Sequence, residues 1–146
     1  MRLIYKILSL AFVSLLFFAC TNSINENNIN GDWFYIGKDG TYNEVYIDSI
    51  SFNFSNENIG RDFYRRMYKR NDDTIIFFDS KKNNEKAIID NLDNNSFKLI
   101  FIQDGDIIQF EKLKENKVAS EILEEKITQK EYFWAMEQRS KKYSDN

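Results

Sequence analysis

SFKLIFIQDGDIIQFEK, residues 96–112, is the stretch whose reading decides the fold. Phe97, Leu99 and Phe101 alternate with Lys98, Ile100 and Ile102, which reads as a strand apolar on nearly both faces. Asp104-Gly105 then suits a type I′ hairpin turn, because Gly tolerates positive φ. The return strand runs over 106–113. Outward from this hairpin, a period of two persists from Gly31 to Leu113, with turn signals roughly every eight to twelve residues. The candidate strands are 31–37, 43–47, 50–55, 62–69, 74–79, 85–91, 96–103 and 106–113. Asp39-Gly40 suits a second type I′ turn, whereas Asn71-Asp72-Asp73 and Asp93-Asn94-Asn95 read as looser turns. Within 59–70, Ile59, Phe63 and Met67 also fit a helical stripe, so that segment reads as strand or helix.

The period changes after Leu113. Ala119 to Ile127 fits a short helix carrying Ile122, Leu123 and Ile127. Thr128-Gln129-Lys130-Glu131 is a capping box, which opens a helix from about 129 to 142. That helix places Tyr132, Phe133 and Met136 on one side, a face expected to dock on the sheet. The run from Tyr132 to Met136 goes around more than one helix face, which leaves Trp134 for packing or for a partner.

Ahead of the strands the chain has a different character. Arg2 and Lys6 are the only charged residues before Cys20, and Ile7 to Ala19 is apolar apart from Ser9 and Ser14. Thirteen helical residues span about 20 Å, short of the roughly 30 Å of a bilayer core, so residues 1–19 read as a signal peptide. Residues 20–30 are polar and Asn-rich and read as a flexible tether. From Cys20 onward eighteen basic residues face twenty-three acidic ones, which argues against a nucleic-acid binder. One Cys permits no intramolecular disulfide, and the absence of His removes His-based catalysis and His-ligated metals. The expected cofactor and metal content is none.

Two resemblances add to this. Leu16-Phe17-Phe18-Ala19-Cys20 resembles the lipobox of bacterial lipoproteins, which implies acylation of Cys20, a membrane anchor and a cell-envelope location. Thr21 in place of an Asp after that Cys implies the outer membrane. Gly31-Asp32-Trp33-Phe34, eight strands and a terminal helix together resemble the small lipocalin-like lipoproteins of Bacteroidetes-type bacteria. The resemblance implies a closed barrel over 31–113, with Trp33 plugging one end, followed by a helical segment over 114–146. It also implies a cation stacked on that Trp, a place open to Lys112 or Lys114. Asp48-Ser49-Ile50 and Asp73-Thr74-Ile75 resemble a bacterial O-glycosylation acceptor.

The candidate binding residues lie on the fourth strand. Arg61, Arg65, Arg66, Lys69 and Arg70 interleave with Phe63, Tyr64 and Tyr68. On a strand, Tyr64, Arg66, Tyr68 and Arg70 share one face, where charge-assisted hydrogen bonds and stacking suit an anionic head group. The acids at turns, Asp72, Asp73, Asp90, Asp93, Asp104 and Asp106, lack the Gly and closing Glu of a calcium loop. No carboxylate pair is marked out for catalysis, so the chain is expected to be no enzyme. The expected architecture is mainly β: an antiparallel meander closed into a lipocalin-like barrel with a C-terminal helix. The expected function is a binding module for a small apolar or amphipathic ligand, held by Trp33 and the Tyr64–Arg70 face. The alternative is a structural lipoprotein with a filled barrel, accessory to an envelope complex. An inward set of Trp33, Tyr35, Phe52, Phe54, Phe97, Leu99 and Phe101 is consistent with either.

Overall fold

A computed structural model of the chain describes residues 28–56, 63–78 and 84–144. The signal peptide, Cys20, most of the tether, Ile59, Arg61 and Asp62 lie outside the described residues. Eight strands follow one another as antiparallel neighbours and close into a barrel. They are β1 (Gly31–Ile36), β2 (Tyr42–Ile47), β3 (Ser51–Asn56), β4 (Tyr64–Asn71), β5 (Thr74–Phe78), β6 (Glu85–Asp90), β7 (Ser96–Phe101) and β8 (Ile107–Lys112). Closure is made by β1 against β8, with Trp33 opposite Lys112 and Phe34 opposite Glu111. Two helices follow, α1 (Ala119–Leu123) and α2 (Gln129–Ser144). Among the described residues no helix is long and apolar enough to cross a membrane.

The segment that reads as strand or helix is a strand from Tyr64 onward, with Phe63 just before it. Its pairing with β3 and β5 leaves Arg65, Met67 and Lys69 outside and turns Tyr64, Arg66, Tyr68 and Arg70 inward.

Both Asp-Gly turns form, but not as two-residue type I′ turns. The Gly37 amide donates to the Thr41 carbonyl across a three-residue loop, and the Phe101 amide to the Asp106 carbonyl across a four-residue loop. A type I′ turn needs positive φ at both central residues. Here only Gly40 (φ 82°) and Gly105 (φ 75°) adopt it. The preceding Asp uses its carboxylate instead: Asp39 accepts from the Thr41 amide and Asp104 from the Asp106 amide. The reverse holds at Asn71-Asp72-Asp73. Asn71 pairs with Thr74, so only Asp72 and Asp73 bridge the strands, with Asp72 at φ 51°.

The barrel interior is one apolar core. Trp33, Val45, Ile47, Phe52, Ile75, Phe77, Ala87, Phe97, Leu99 and Phe110 are all essentially inaccessible to solvent. Every member of the expected inward set faces this interior or packs against it. Ile29, which the sequence places in the tether, belongs here too, at 1% exposure. Its carbonyl accepts the Trp33 indole N–H at 2.7 Å, so the entering chain is fastened to the plug.

A second core lies outside the barrel. Phe34 and Tyr42 on β1 and β2 pack with Leu113, Val118, Ala119, Tyr132 and Met136. This is why β2 and β3 are buried on both faces while β4 to β8 show the half-buried alternation of a solvated sheet. Fully burying each large side chain here contributes about 1.5–3 kcal/mol. The α2 cap forms as the sequence indicates: the Glu131 amide donates to Thr128 Oγ1 and the Thr128 amide to Glu131 Oε2. Val118 precedes α1 and has no side-chain oxygen. Asp32 of β1 supplies the cap across the fold, accepting the Ser120 amide at 2.9 Å and its hydroxyl at 2.5 Å.

Inside this second core sits a charged pair. Glu44, fully buried on β2, accepts two bonds from Arg139 of α2, at 2.7 Å from Nε and 3.0 Å from Nη2. The same guanidinium donates to the Asn116 and Lys117 carbonyls, and the Tyr42 hydroxyl donates to Glu44. Burial and then the Glu44 carboxylate push the Tyr42 phenol up, which keeps it neutral. The Tyr132 hydroxyl is enclosed beside Glu44 and Ser55 without a well-formed hydrogen bond, and burial pushes it up as well.

Breaking a buried pair from one side strands a charge and costs about 3–5 kcal/mol. Arg139→Met is therefore expected to destabilise the chain by that amount in urea unfolding. Adding Glu44→Gln to it is expected to restore part of the loss. If the two substitutions instead add, the pair is not coupled and docking rests on apolar contact alone.

The end of α2 is fixed by Glu115, which accepts from Lys142 Nζ at 2.8 Å and from the Tyr143 hydroxyl at 2.6 Å. Partial burial pushes the Glu115 carboxyl up, but these bonds overcome it and lower it from 4.5 to about 2. A carboxyl depressed on folding stabilises fully above its unfolded value and loses that contribution as pH falls toward its folded one. The stability difference between the native chain and Glu115→Gln should therefore be constant above about pH 5 and shrink between about pH 4.5 and 2. A difference that does not change with pH contradicts this role.

Candidate functional site

The interior is neither empty nor filled throughout. At one end of the barrel lies a cavity of about 200 Å³, open to solvent. Tyr35 of β1 and Asn43 of β2 form one side, and Phe54 and Asn56 of β3 adjoin them. Tyr64 and Arg66 of β4, next to β3, and Phe77 of β5 continue the wall, with Leu99, Phe101, Ile108 and Phe110 completing it. Below the floor, Phe97 stacks on Phe110 with ring centroids 4.6 Å apart, and Trp33 meets Phe97 edge-on at 4.8 Å. Phe52 meets Phe77 at 5.0 Å. These contacts close the barrel beneath the cavity, as expected when a barrel of eight strands is just wide enough for side chains to fill.

The register places the polar groups. Asn43 and Asn56 face each other across β2 and β3, and the Asn56 amide donates to Asn43 Oδ1 at 2.7 Å. Asn43 in turn donates to the Thr41 carbonyl, tying the wall to the β1–β2 loop. On β4, the guanidinium carbon of Arg66 lies 4.3 Å from the Phe77 ring centroid, a cation–π geometry. Phe77 pairs with Glu85 on β6, and Arg66 crosses β5 over this ring to reach Glu85 Oε2 at 2.7 Å. Arg66 is the one charged side chain on the described lining, and no carboxylate is among it. Burial and then the Asp39 charge push the Tyr35 phenol up, so it enters the cavity wall as a neutral hydroxyl.

Of the five residues that the sequence marks for ligand binding, Tyr64 and Arg66 line the cavity and three do not. Tyr68 faces inward one step deeper, buried, with its ring edge-on to Phe52 and its hydroxyl donating to the Asp48 carbonyl. Arg70 lies beside the β4–β5 turn, at the opposite end of the strand, and its Nε donates to the Asp72 carbonyl. The shared face is real, but a strand of eight residues is about 25 Å long and carries its two ends to opposite ends of the barrel. Trp33 plugs the closed end. Lys112, not Lys114, supplies the cation over its ring, at 4.2 Å, and also donates to the Asn30 carbonyl. Gly31 is required there by its backbone, because φ 122° strains any residue with a Cβ, and the Lys112 ammonium lies over the place a Cβ would take.

Sequence reasoning missed Asn43, Asn56, Phe77, Ile108 and Phe110 of the lining, and Glu85 behind it. Phe77, Ile108 and Phe110 carry the alternation that would have marked them as inward. Nothing in the sequence links Arg66 to Glu85, since that contact depends on the tilt of β4 across β5. Trp134 is 60% exposed, with the Lys117 ammonium 5.7 Å from its ring. Ser49 is exposed and Thr74 half-buried, both beside strand ends. Comparisons with protein-family models, with curated proteins and with solved structures find no match for this chain.

Proposed function

We propose that this chain is a lipid-anchored binding module of the bacterial cell envelope, a lipocalin-like barrel whose mouth holds the apolar part of a small amphipathic ligand. The observation that carries the reading is the solvent-open cavity, whose walls are mostly aromatic and aliphatic with a few polar groups at its edge. That is the general make-up of a small-molecule site. Acylation of Cys20 would hold the barrel at the membrane, with the outer membrane as its place. No step of bond making is assigned to it. A second reading, an accessory subunit of an envelope complex, has one observation in its favour: the exposed Trp134 on α2.

The binding reading is tested by saturation-transfer NMR on the full chain in detergent, with hexanoate and benzyl alcohol as probes. Both are expected to bind. Ile108→Phe places a larger side chain in the cavity and is expected to weaken both at least tenfold while leaving Tm unchanged. Binding that is insensitive to this substitution, or no binding by either probe, favours the accessory-subunit reading. The anchor is tested separately. Cys20→Ala should release the chain from the membrane fraction and abolish labelling by a fatty-acid analogue, and unchanged fractionation and labelling overturn the anchor.

A further inference from the structure

The size and charge of the mouth cavity define its ligand more narrowly. We infer that it selects an organic carboxylate with an apolar body about the size of one ring, and that the carboxylate takes the place of Glu85 on Arg66. This rests on the binding reading above and specifies its ligand.

Size comes first. An apolar cavity of about 150 Å³ accommodates benzene, and drug-sized ligands use about 300–1,000 Å³. At about 200 Å³ the mouth takes one ring or a short chain. It has no room beneath for more, because Phe52, Phe97 and Phe110 pack the interior to the Trp33 plug. A longer acyl chain therefore cannot be enclosed, and what exceeds one ring's length stands in solvent.

Charge comes second. Arg66 is the one charged group on the described lining, and its guanidinium rests against the Phe77 ring. An Arg has five N–H donors in a planar fork that matches a carboxylate. One bond, from Nη2, goes to Glu85. The two side chains remain 21% and 33% exposed, so this is a partly solvated pair rather than a sealed one. Such pairs hold weakly. A carboxylate that also buries an apolar body against Phe77, Phe101 and Phe110 has a source of affinity that Glu85 lacks. A cationic ligand would meet the Arg66 charge, and a neutral one would leave the fork to Glu85.

The test is calorimetric titration of the full chain in detergent with benzoate, its neutral isostere benzamide, and the two-ring biphenyl-4-carboxylate. Benzoate is expected to bind about tenfold or more tightly than benzamide, as charge-assisted hydrogen bonds imply, and the two-ring acid is expected to bind no more tightly than benzoate. Glu85→Gln should tighten benzoate several-fold and leave benzamide unchanged. Arg66→Gln should remove the preference for benzoate, and Arg66→Lys should keep part of it, which separates lost recognition from lost folding. Equal binding of benzoate and benzamide, or a preference unmoved by either Arg66→Gln or Glu85→Gln, overturns the carboxylate assignment while leaving the mouth a binding site. Tighter binding of the two-ring acid than of benzoate overturns the size limit. Absence of binding by all three compounds overturns this assignment, and the binding reading falls with it only if hexanoate and benzyl alcohol also fail.

Discussion

The buried pair of Glu44 and Arg139 is the constraint on which the arrangement of this molecule depends. Taking two charges out of water is costly, and a pair of this kind is compensated only by good geometry and by full use of the remaining donors and acceptors. Here the compensation is nearly complete. Two bonds join the groups, two backbone carbonyls take further N–H groups of Arg139, and Tyr42 donates to the carboxylate. The two carbonyls belong to Asn116 and Lys117, in the segment that brings the chain from the barrel to its helices, and Lys117 takes a positive φ of 60°. The pair thus fixes three things together: the wall of the barrel, the crossing of the connecting segment and the register of α2. Apolar contact alone would let α2 slide along its axis by a turn, because its face carries apolar residues at several heights. A buried guanidinium that must meet one carboxylate permits a single register.

That docking acts on the cavity through the sheet. The strands under the helices are β1 to β3, and their inner faces carry Tyr35, Asn43, Phe54 and Asn56. This side of the site is packed on both faces. The side that carries Tyr64, Arg66 and Phe77 has helix cover on neither strand, and its outer face meets solvent with Met67 and Phe78 exposed. The site therefore joins a wall packed on both faces, which holds two amides, to a wall packed on its inner face, which holds the cation.

Most of the fold was legible because alternation and turn chemistry are local. The eight strands fall within a few residues of their expected places, and the capping box at Thr128 needs only residues 128–131. What was not legible depends on where the chain returns. Glu44 stands between Asn43 and Val45 on a short strand and reads as a solvated outer position; only the arrival of Arg139, ninety-five residues later, makes it a core residue. Ile29 sits in an Asn-rich run and gives no periodic signal, yet it is sealed under Trp33. The loop lengths at Asp39-Gly40 and Asp104-Gly105 were misread because the dipeptide indicates one positive φ and not two. The Tyr64–Arg70 face of β4 was read correctly as a face. A period of two assigns sides and says nothing of depth, so Tyr64 and Arg70 looked equivalent although they belong to opposite ends of the barrel.

Depth also gives the molecule its polarity. The chain enters at the closed end, where Ile29, Trp33 and Lys112 form a seal, and Gly31 is the residue that lets Lys112 lie across it. Strands of six residues carry the wall about 20 Å from this seal to the open mouth. The described chain therefore enters the barrel at its base, and the cavity opens at the other end. The core is distributed accordingly. The largest fully buried ring, Trp33, stands at the base with a hydrogen bond for its one polar atom. Among the described residues the cavity lies near the mouth, with the Tyr35 and Tyr64 phenols and the Arg66 guanidinium on its lining.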